Sequence, residues 1–360
     1  MKSLQEFQDK GGEIIVCDTG STDSTPEVAR SLGCKVYEVG NRFRVTIDEK
    51  MAPQINYFAG AEVVHPDQTV FDFASARNYA ASLASNDMIC MPDADEIFTS
   101  YNLEEISKAI EGGAEQLEYN FVYSHDEFGK ESIKFGHCKF YNRTKLHWDG
   151  IIHEILVGEA RKVWLPENTI KLEHFQNKHT DRSGYLTGLA LDCYLNPDKD
   201  RQRHYFAREL MYVGQPMAAI LHFKKHIEMS GWLQERAQSL IYIGECYQKL
   251  RSENSPEEWW QQAINMDCSR REAFIRLALY YRSKDDFQRA ACYASAALMI
   301  KTSTFYSDNQ AHYAQVPHEI LYWALYWLGQ KEEAKKHFEI AKSYLPNNEK
   351  YKHDQQFFNT

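Results

Sequence analysis

Two carboxylates spaced D-x-D in Met91-Pro92-Asp93-Ala94-Asp95-Glu96 are the residues of this chain best suited to chemistry. They follow the apolar run Met88-Ile89-Cys90-Met91, where a buried strand would give way to a loop. Acids placed so can hold a divalent metal against a phosphate. Hard cations such as Mg²⁺ and Mn²⁺ take oxygen ligands and bind through one or two carboxylates plus substrate phosphates. Two earlier segments strengthen the pattern: Asp18-Thr19-Gly20-Ser21-Thr22-Asp23 and Phe73-Ala74-Ser75-Ala76-Arg77-Asn78. Each also has a plain structural use. Asp18 and Asp23 can cap the following helix, and Asp23 fits that role better. Arg77 can serve as an ion-pair partner, a glutamate can be a solvated strand residue, and a lone histidine is more often structural than a ligand.

The elements that would position these groups alternate between strand and helix. Glu13-Ile14-Ile15-Val16-Cys17 reads as a buried parallel strand ending in a polar loop. Ser24-Thr25-Pro26-Glu27 then opens a helix with a hydroxyl, an early proline and a first-turn acid. That helix ends near Gly33, and Lys35 to Val39 forms the next strand, which makes a β-α-β unit. Residues 40–69 have mixed polarity and no clear period, so they read as an insertion or lid. Ser75 to Ala84 is a small-residue helix. Gln116 to Ser124 and Lys134 to Asn142 read as strands.

After about Arg182 the strand signals fade and helix pairs follow. The pairs are Arg203–Tyr212 with Met217–Met229, Arg236–Leu250 with Glu257–Met266, Arg271–Arg282 with Phe287–Ile300, and Glu319–Leu328 with Glu332–Tyr344. Their turns recur at about 34 residues, the tetratricopeptide period, up to an insertion near Thr302 to Gln315. Such units bury their apolar faces only by stacking on neighbours.

A chain of 360 residues is long enough for two domains, divided here as 1–182 and 183–360. The formal charge of −10 argues against a broad nucleic-acid-binding surface. The eight cysteines form no C-x-x-C pair and read as small buried side chains in a reducing compartment. No apolar run reaches the length of a membrane span and no signal peptide is evident, so a cytoplasmic location is expected.

In order, Ile14 to Asp23, Phe73 to Asn78 and Asp93 to Glu96 resemble the motifs of family-2 glycosyltransferases, and most closely those with a tetratricopeptide-like tail. Trp148-Asp149-Gly150-Ile151-Ile152-His153-Glu154 looks like the histidine–glutamate motif of that subgroup, and Leu172-Glu173-His174-Phe175 like its later histidine segment. The resemblance covers nearly the whole chain. It implies an α/β fold of the GT-A, Rossmann-like type followed by an all-α helical-repeat domain. It further implies a nucleotide-diphosphate sugar donor, a UDP-sugar ahead of a GDP-sugar, and a divalent metal, Mn²⁺ or Mg²⁺. On the matching positions, Asp18 would contact the nucleobase, Arg77 the base or diphosphate, and Asp93 the ribose. Asp95 would bind the metal, with His174 and then His153 completing its shell. An inverting transfer also needs a base for the acceptor's proton. Glu154 is the first candidate, with Asp149 and Glu96 behind it.

Family members of this type open with a strand before the segment matching Leu4 to Lys10, and the donor pocket is expected to be incomplete without it. The acceptor is expected to be a protein, peptide or glycan, and the helical repeats could mediate a homodimer. Two other functions compete. One is a degenerate transferase domain acting as scaffold, with the repeats as a peptide-binding module. The other is a nucleotidyltransferase, against which stands the lack of a Gly-rich phosphate loop near the start.

Overall fold

The computed structural model describes residues 4–125, 131–175, 183–251, 255–302, 305 and 308–358. Contacts divide the chain into two compact units. One comprises residues 1–58 and 62–195, and the other residues 59–61 and 196–360. The division expected at residue 182 lies outside the described residues.

The first unit is mixed α/β. After a short helix α1 (Gln5–Asp9), strand β1 (Ile15–Asp18), helix α2 (Thr25–Ser31) and strand β2 (Lys35–Glu38) form the expected unit, with β1 and β2 parallel. Pro26 sits in the first turn of α2 and Glu27 follows it, where a missing N–H costs nothing and an acid meets the positive helix end. Residues 40–69 are not one long loop. They hold strand β3 (Arg44–Thr46) and helix α3 (Met51–Ala59), and β3 pairs antiparallel with β4 (Thr69–Phe71). The apolar positions Ala52, Ile55 and Ala59 are fully or almost fully buried at helical spacing. Pro53 and the many polar neighbours hide that period in the sequence.

Helix α4 (Phe73–Ser82) follows directly. Asp72 caps it by accepting from Ser75 N at 2.9 Å. Next come β5 (Met88–Cys90), β6 (Glu96–Tyr101), helix α5 (Leu103–Glu111), β7 (Gln116–His125) and β8 (Glu131–Asn142). Strands β9 (Leu146–Asp149) and β10 (Ile155–Gly158) pair antiparallel, and β11 (Lys162–Trp164), β12 (Ile170–His174) and helix α6 (Ser183–Leu195) complete the unit. The main sheet runs β5-β8-β7-β12-β6, with β11 added beside β7. Its core includes Phe98, Ile106, Leu117, Tyr119, Phe121, Ile170 and Leu172. Burying each large side chain of this kind contributes roughly 1.5–3 kcal/mol.

The second unit is all helical. It contains α7 (Asp200–Tyr212), α8 (Pro216–Met229), α9 (Leu233–Leu250), α10 (Pro256–Met266), α11 (Arg271–Arg282), α12 (Phe287–Met299), α13 (Gln315–Trp327), α14 (Lys331–Tyr344) and α15 (Glu349–Asp354). Successive helices from α7 to α14 pack on one another. The four expected pairs are present, but their first helices start at Asp200, Leu233, Arg271 and Gln315, so the interval widens along the chain instead of holding at 34. The 18-residue α9 and the segment between α12 and α13 take up the difference. Alanines carry much of the helix–helix contact: Ala263, Ala273, Ala278, Ala290, Ala294, Ala297 and Ala324 are fully buried. Small residues let helices approach closely, while Trp260, Tyr322 and Phe338 fill the space between them.

Candidate active site

Lys139 organises the D-x-D turn. It lies on β8, which pairs antiparallel with β5 and holds the Met91 amide through the Lys139 carbonyl at 2.9 Å. Its ammonium is 3% exposed and reaches two acids at once, Asp93 Oδ2 at 2.9 Å and Glu96 Oε1 at 3.0 Å. The other oxygen of Glu96 accepts from the Asp93 amide at 2.7 Å. The turn is therefore closed by the side chain of Glu96 and neutralised by a buried lysine. Burial pushes the Glu96 carboxyl up against the opposing pull of Lys139. Glu96, expected as a reserve base, is committed to holding the turn.

Arg77 lies one turn into α4 and joins two parts of the site. Its Nη2 is 2.6 Å from Asp93 Oδ1, its Nε donates to Glu154 Oε1 at 2.7 Å, and its guanidinium lies over the Trp148 ring at 4.9 Å. Burial disfavours its charge, but Asp93 and Glu154 outweigh that and raise its pKa. Asp93 responds in the other direction. Burial acts to raise its pKa, yet Lys139 and Arg77 together hold it down at about 2.

Glu154 reaches Arg77 because of the turn between β9 and β10. Gly150 and His153 both take positive φ there, at 103° and 57°. Glycine adopts that region freely, and a histidine does so only where its surroundings enforce it. Here the Ile151 carbonyl accepts from Phe73 N at 3.1 Å, and the Ile151 amide donates to the buried Asp192 on α6 at 2.7 Å. On the other side, Asn78 of α4 clamps β9 by exchanging two 2.8 Å bonds with the Trp148 backbone. His153 packs its ring against Tyr185, with centroids 5.6 Å apart. Asp149 ends β9 opposite Ile155.

Asp95 and His174 meet by strand pairing. β12 runs antiparallel to β6 with His174 opposite Glu96, and Phe175 N donates to the Asp95 carbonyl at 2.9 Å. His174 Nε2 is then 3.0 Å from Asp95 Oδ2, and its Nδ1 is 3.3 Å from the Tyr123 carbonyl. Both ring nitrogens thus face acceptors. An imidazole with one N–H donates to only one of them, and a cation shared with Asp95 can serve the other contact. An oxygen and a nitrogen 3.0 Å apart also match neighbouring positions of an octahedral ion with bonds of about 2.1 Å. The donors present fit a divalent metal.

Asp18 ends β1 and accepts from the Gly20 amide at 3.2 Å and from the amide and hydroxyl of Ser21. The Ser21 hydroxyl bond is the main cause of its lowered pKa. Asp23 accepts from Thr25 N at 3.0 Å just before α2, but the N-cap of that helix is Ser24, so the expected capping by Asp23 is not made. Among the expected residues, contacts join Arg77, Asp93 and Glu154 in one cluster and Asp95 and His174 in another, two residues away along the turn.

Lys139, Asn78 and Asp192 were not legible as site residues. Asn78 alone left a trace, as the last residue of the Phe73–Asn78 segment.

Residues 1–160 match the family model described as glycosyl transferase family 2. A TPR repeat-containing protein of Synechococcus elongatus is 26% identical over 155 residues, covering 43% of this chain and 31% of that protein's length. The chain thus matches about a third of that relative. Among solved structures, MamA aligns at 18% identity with a TM-score of 0.37, covering 44% of this chain and 86% of its own. PilW, a type IV pilus biogenesis factor, aligns at 12% identity with a TM-score of 0.40, covering 48% and 74%. No helix among the described residues is long and apolar enough to cross a membrane. Residues 1–160 thus match a glycosyl transferase family 2 model, and the described residues from Asp200 onward are helical, packed as successive pairs.

Proposed function

We propose that this protein is a metal-dependent glycosyltransferase that moves a sugar from a nucleotide-diphosphate donor, with inversion, to a protein, peptide or glycan acceptor. The observation that carries the reading is the Asp95–His174 pair at 3.0 Å, set two residues from an Asp93 already held by Arg77 and Lys139. Asp95 and His174 would hold Mn²⁺ or Mg²⁺, with substrate oxygens and water filling the shell. The bound ion would act as a Lewis acid toward the departing diphosphate. Asp93 would meet a ribose hydroxyl, and Asp18, at the end of its strand, would meet the nucleobase. Arg77 adds positive charge where the diphosphate leaves. Glu154 would take the acceptor's proton. Its bond to Arg77 fixes its position and leaves one carboxylate oxygen for that task.

The same contacts support a second reading. Asp93 and Glu154 are satisfied internally through Arg77, as in a domain kept as a scaffold with its acids mutually neutralised. Calorimetric titration of UDP with Mn²⁺, repeated with GDP and with Asp95→Ala, separates the two. Metal-dependent nucleotide binding that vanishes in the variant supports the transferase. Failure of both nucleotides to bind, with or without metal, overturns it in favour of the scaffold.

A further inference from the structure

The helical unit holds a second group of metal-ligating side chains far from the D-x-D turn in sequence. His204 on α7, His226 in the last turn of α8 and Glu235 in the first turn of α9 are all buried, with exposures of 1%, 0% and 2%. One donor atom from each lies within 4.8 Å of the others. Three helices, each bringing one such donor to a common point in a core, is an uncommon use of polar side chains, which are otherwise costly to bury.

Ser239 gives the arrangement its direction. It lies one turn after Glu235 on α9 and is fully buried. Its hydroxyl is 2.9 Å from Nδ1 of His204 and 2.9 Å from Nδ1 of His226. One oxygen therefore holds the δ side of both rings and leaves the ε side of each for other work. On that side His226 Nε2 is 3.2 Å from Glu235 Oε2. Tetrahedral zinc with bonds of about 2.0–2.1 Å sets its ligands roughly 3.3–3.4 Å apart. A ligating histidine also usually donates its other N–H to an oriented acceptor. A hydroxyl oxygen with two lone pairs can accept from both rings at once.

We propose that His204, His226 and Glu235 form a zinc site within the helical unit, with Ser239 as the shared anchor of both imidazoles. Two imidazoles and one carboxylate are a borderline-soft donor set, suited to Zn²⁺ or Co²⁺ more than to Mg²⁺. Burial first, then the charges of His226, Arg208, Arg201 and Arg270, lower the His204 pKa, which favours the neutral imidazole that ligation requires. The arginine charges also oppose a weakly held hard cation, so only an ion that gains strong bonds to nitrogen can settle there. Binding displaces the proton between His226 and Glu235, and ties α7, α8 and α9 to one point.

The test uses the full chain carrying Asp95→Ala and His174→Ala, so that metal at the D-x-D turn is not counted. After chelator treatment, zinc is titrated against a chromophoric chelator, and Co²⁺ is added in parallel to read its visible tetrahedral absorption. A single zinc ion per chain is expected, with the cobalt band present. Glu235→Gln and His226→Gln should each abolish both signals while the helical circular dichroism is retained. Ser239→Ala, which keeps all three ligands, should weaken zinc by about 10- to 100-fold. Absence of bound zinc and of the cobalt band in the parent protein would overturn the proposal. So would a stoichiometry that Glu235→Gln leaves unchanged.

Discussion

Asp95 Oδ2 and His174 Nε2 lie 3.0 Å apart although 79 residues separate them in the chain. The antiparallel pairing of β6 with β12 makes the contact, and the Tyr123 carbonyl on the adjoining β7 faces the other ring nitrogen. The histidine is thus fixed from both sides before any ligand arrives.

If that pair holds a metal, His174→Ala should weaken Mn²⁺ binding at least tenfold while leaving the fold intact. His174 lies at a strand end, and its ring meets Tyr123 and Phe121 only as a neighbour. Metal titration followed by calorimetry or Mn²⁺ relaxation checks this. Unchanged affinity would remove His174 from the shell.

Arg77→Ala should destabilise the first unit by about 3 kcal/mol. It leaves the half-buried Glu154 and Asp93 without a shared cation, and removing one partner from a buried pair costs about that much. Arg77→Lys should recover only part of the loss, because an ammonium cannot offer two fixed N–H groups to two acids. Urea denaturation followed by near-ultraviolet circular dichroism gives both values.

Lys139→Met should weaken the protein at neutral pH and flatten the part of its acid response that Asp93 supplies. In the wild type the Asp93 pKa is held at about 2, below its unfolded value of about 3.9. Its contribution to stability is therefore present above that unfolded value and lost as pH falls through about 2. Without the ammonium the folded pKa rises, so less stabilisation remains to be lost and the whole protein is weaker at neutral pH. Thermal melts between neutral and acid pH distinguish the two proteins. Identical profiles would show that Arg77 alone sets Asp93.

His137→Phe isolates a second titration. His137 lies on β8 with its ring near Phe121 and Phe135, and burial followed by the charge of Lys139 lowers its pKa to about 4. The unfolded imidazole takes up a proton near pH 6.5 while the folded one stays neutral. Stability is therefore full above that value and falls as pH drops toward about 4. The phenylalanine variant should lose this part of the pH dependence. The difference between variant and wild-type melts across that window measures it, free of the contributions of other histidines.

The sequence and the structure agree best where one segment carries its own signal. The β1-α2-β2 unit, the strand before the D-x-D and helices such as Arg271–Arg282 are set by local period, caps and turns, all within a dozen residues. The identity of α3 was hidden because Pro53 and polar neighbours break up the apolar spacing that its buried face preserves. The partners of Arg77 could not be read at all. Asp93 and Glu154 reach it through the register of β5 with β8 and through a turn pinned by Asp192, and register belongs to the assembled sheet, not to any one strand. Lys139 was hidden for the same reason. A lysine in a strand reads as solvated until its neighbours show that it faces inward.

The lysine that neutralises the D-x-D turn also sets an electrical condition on what can enter. Asp93, Asp95, Glu96 and Glu154 are four acids, and Arg77 and Lys139 are two bases, so two negative charges are left over in the ionised cluster. A bare diphosphate approaching that excess would be repelled. On the proposed reading, the nucleotide and a doubly charged cation must arrive as a joint load, and the affinity for either one should rise steeply with the concentration of the other.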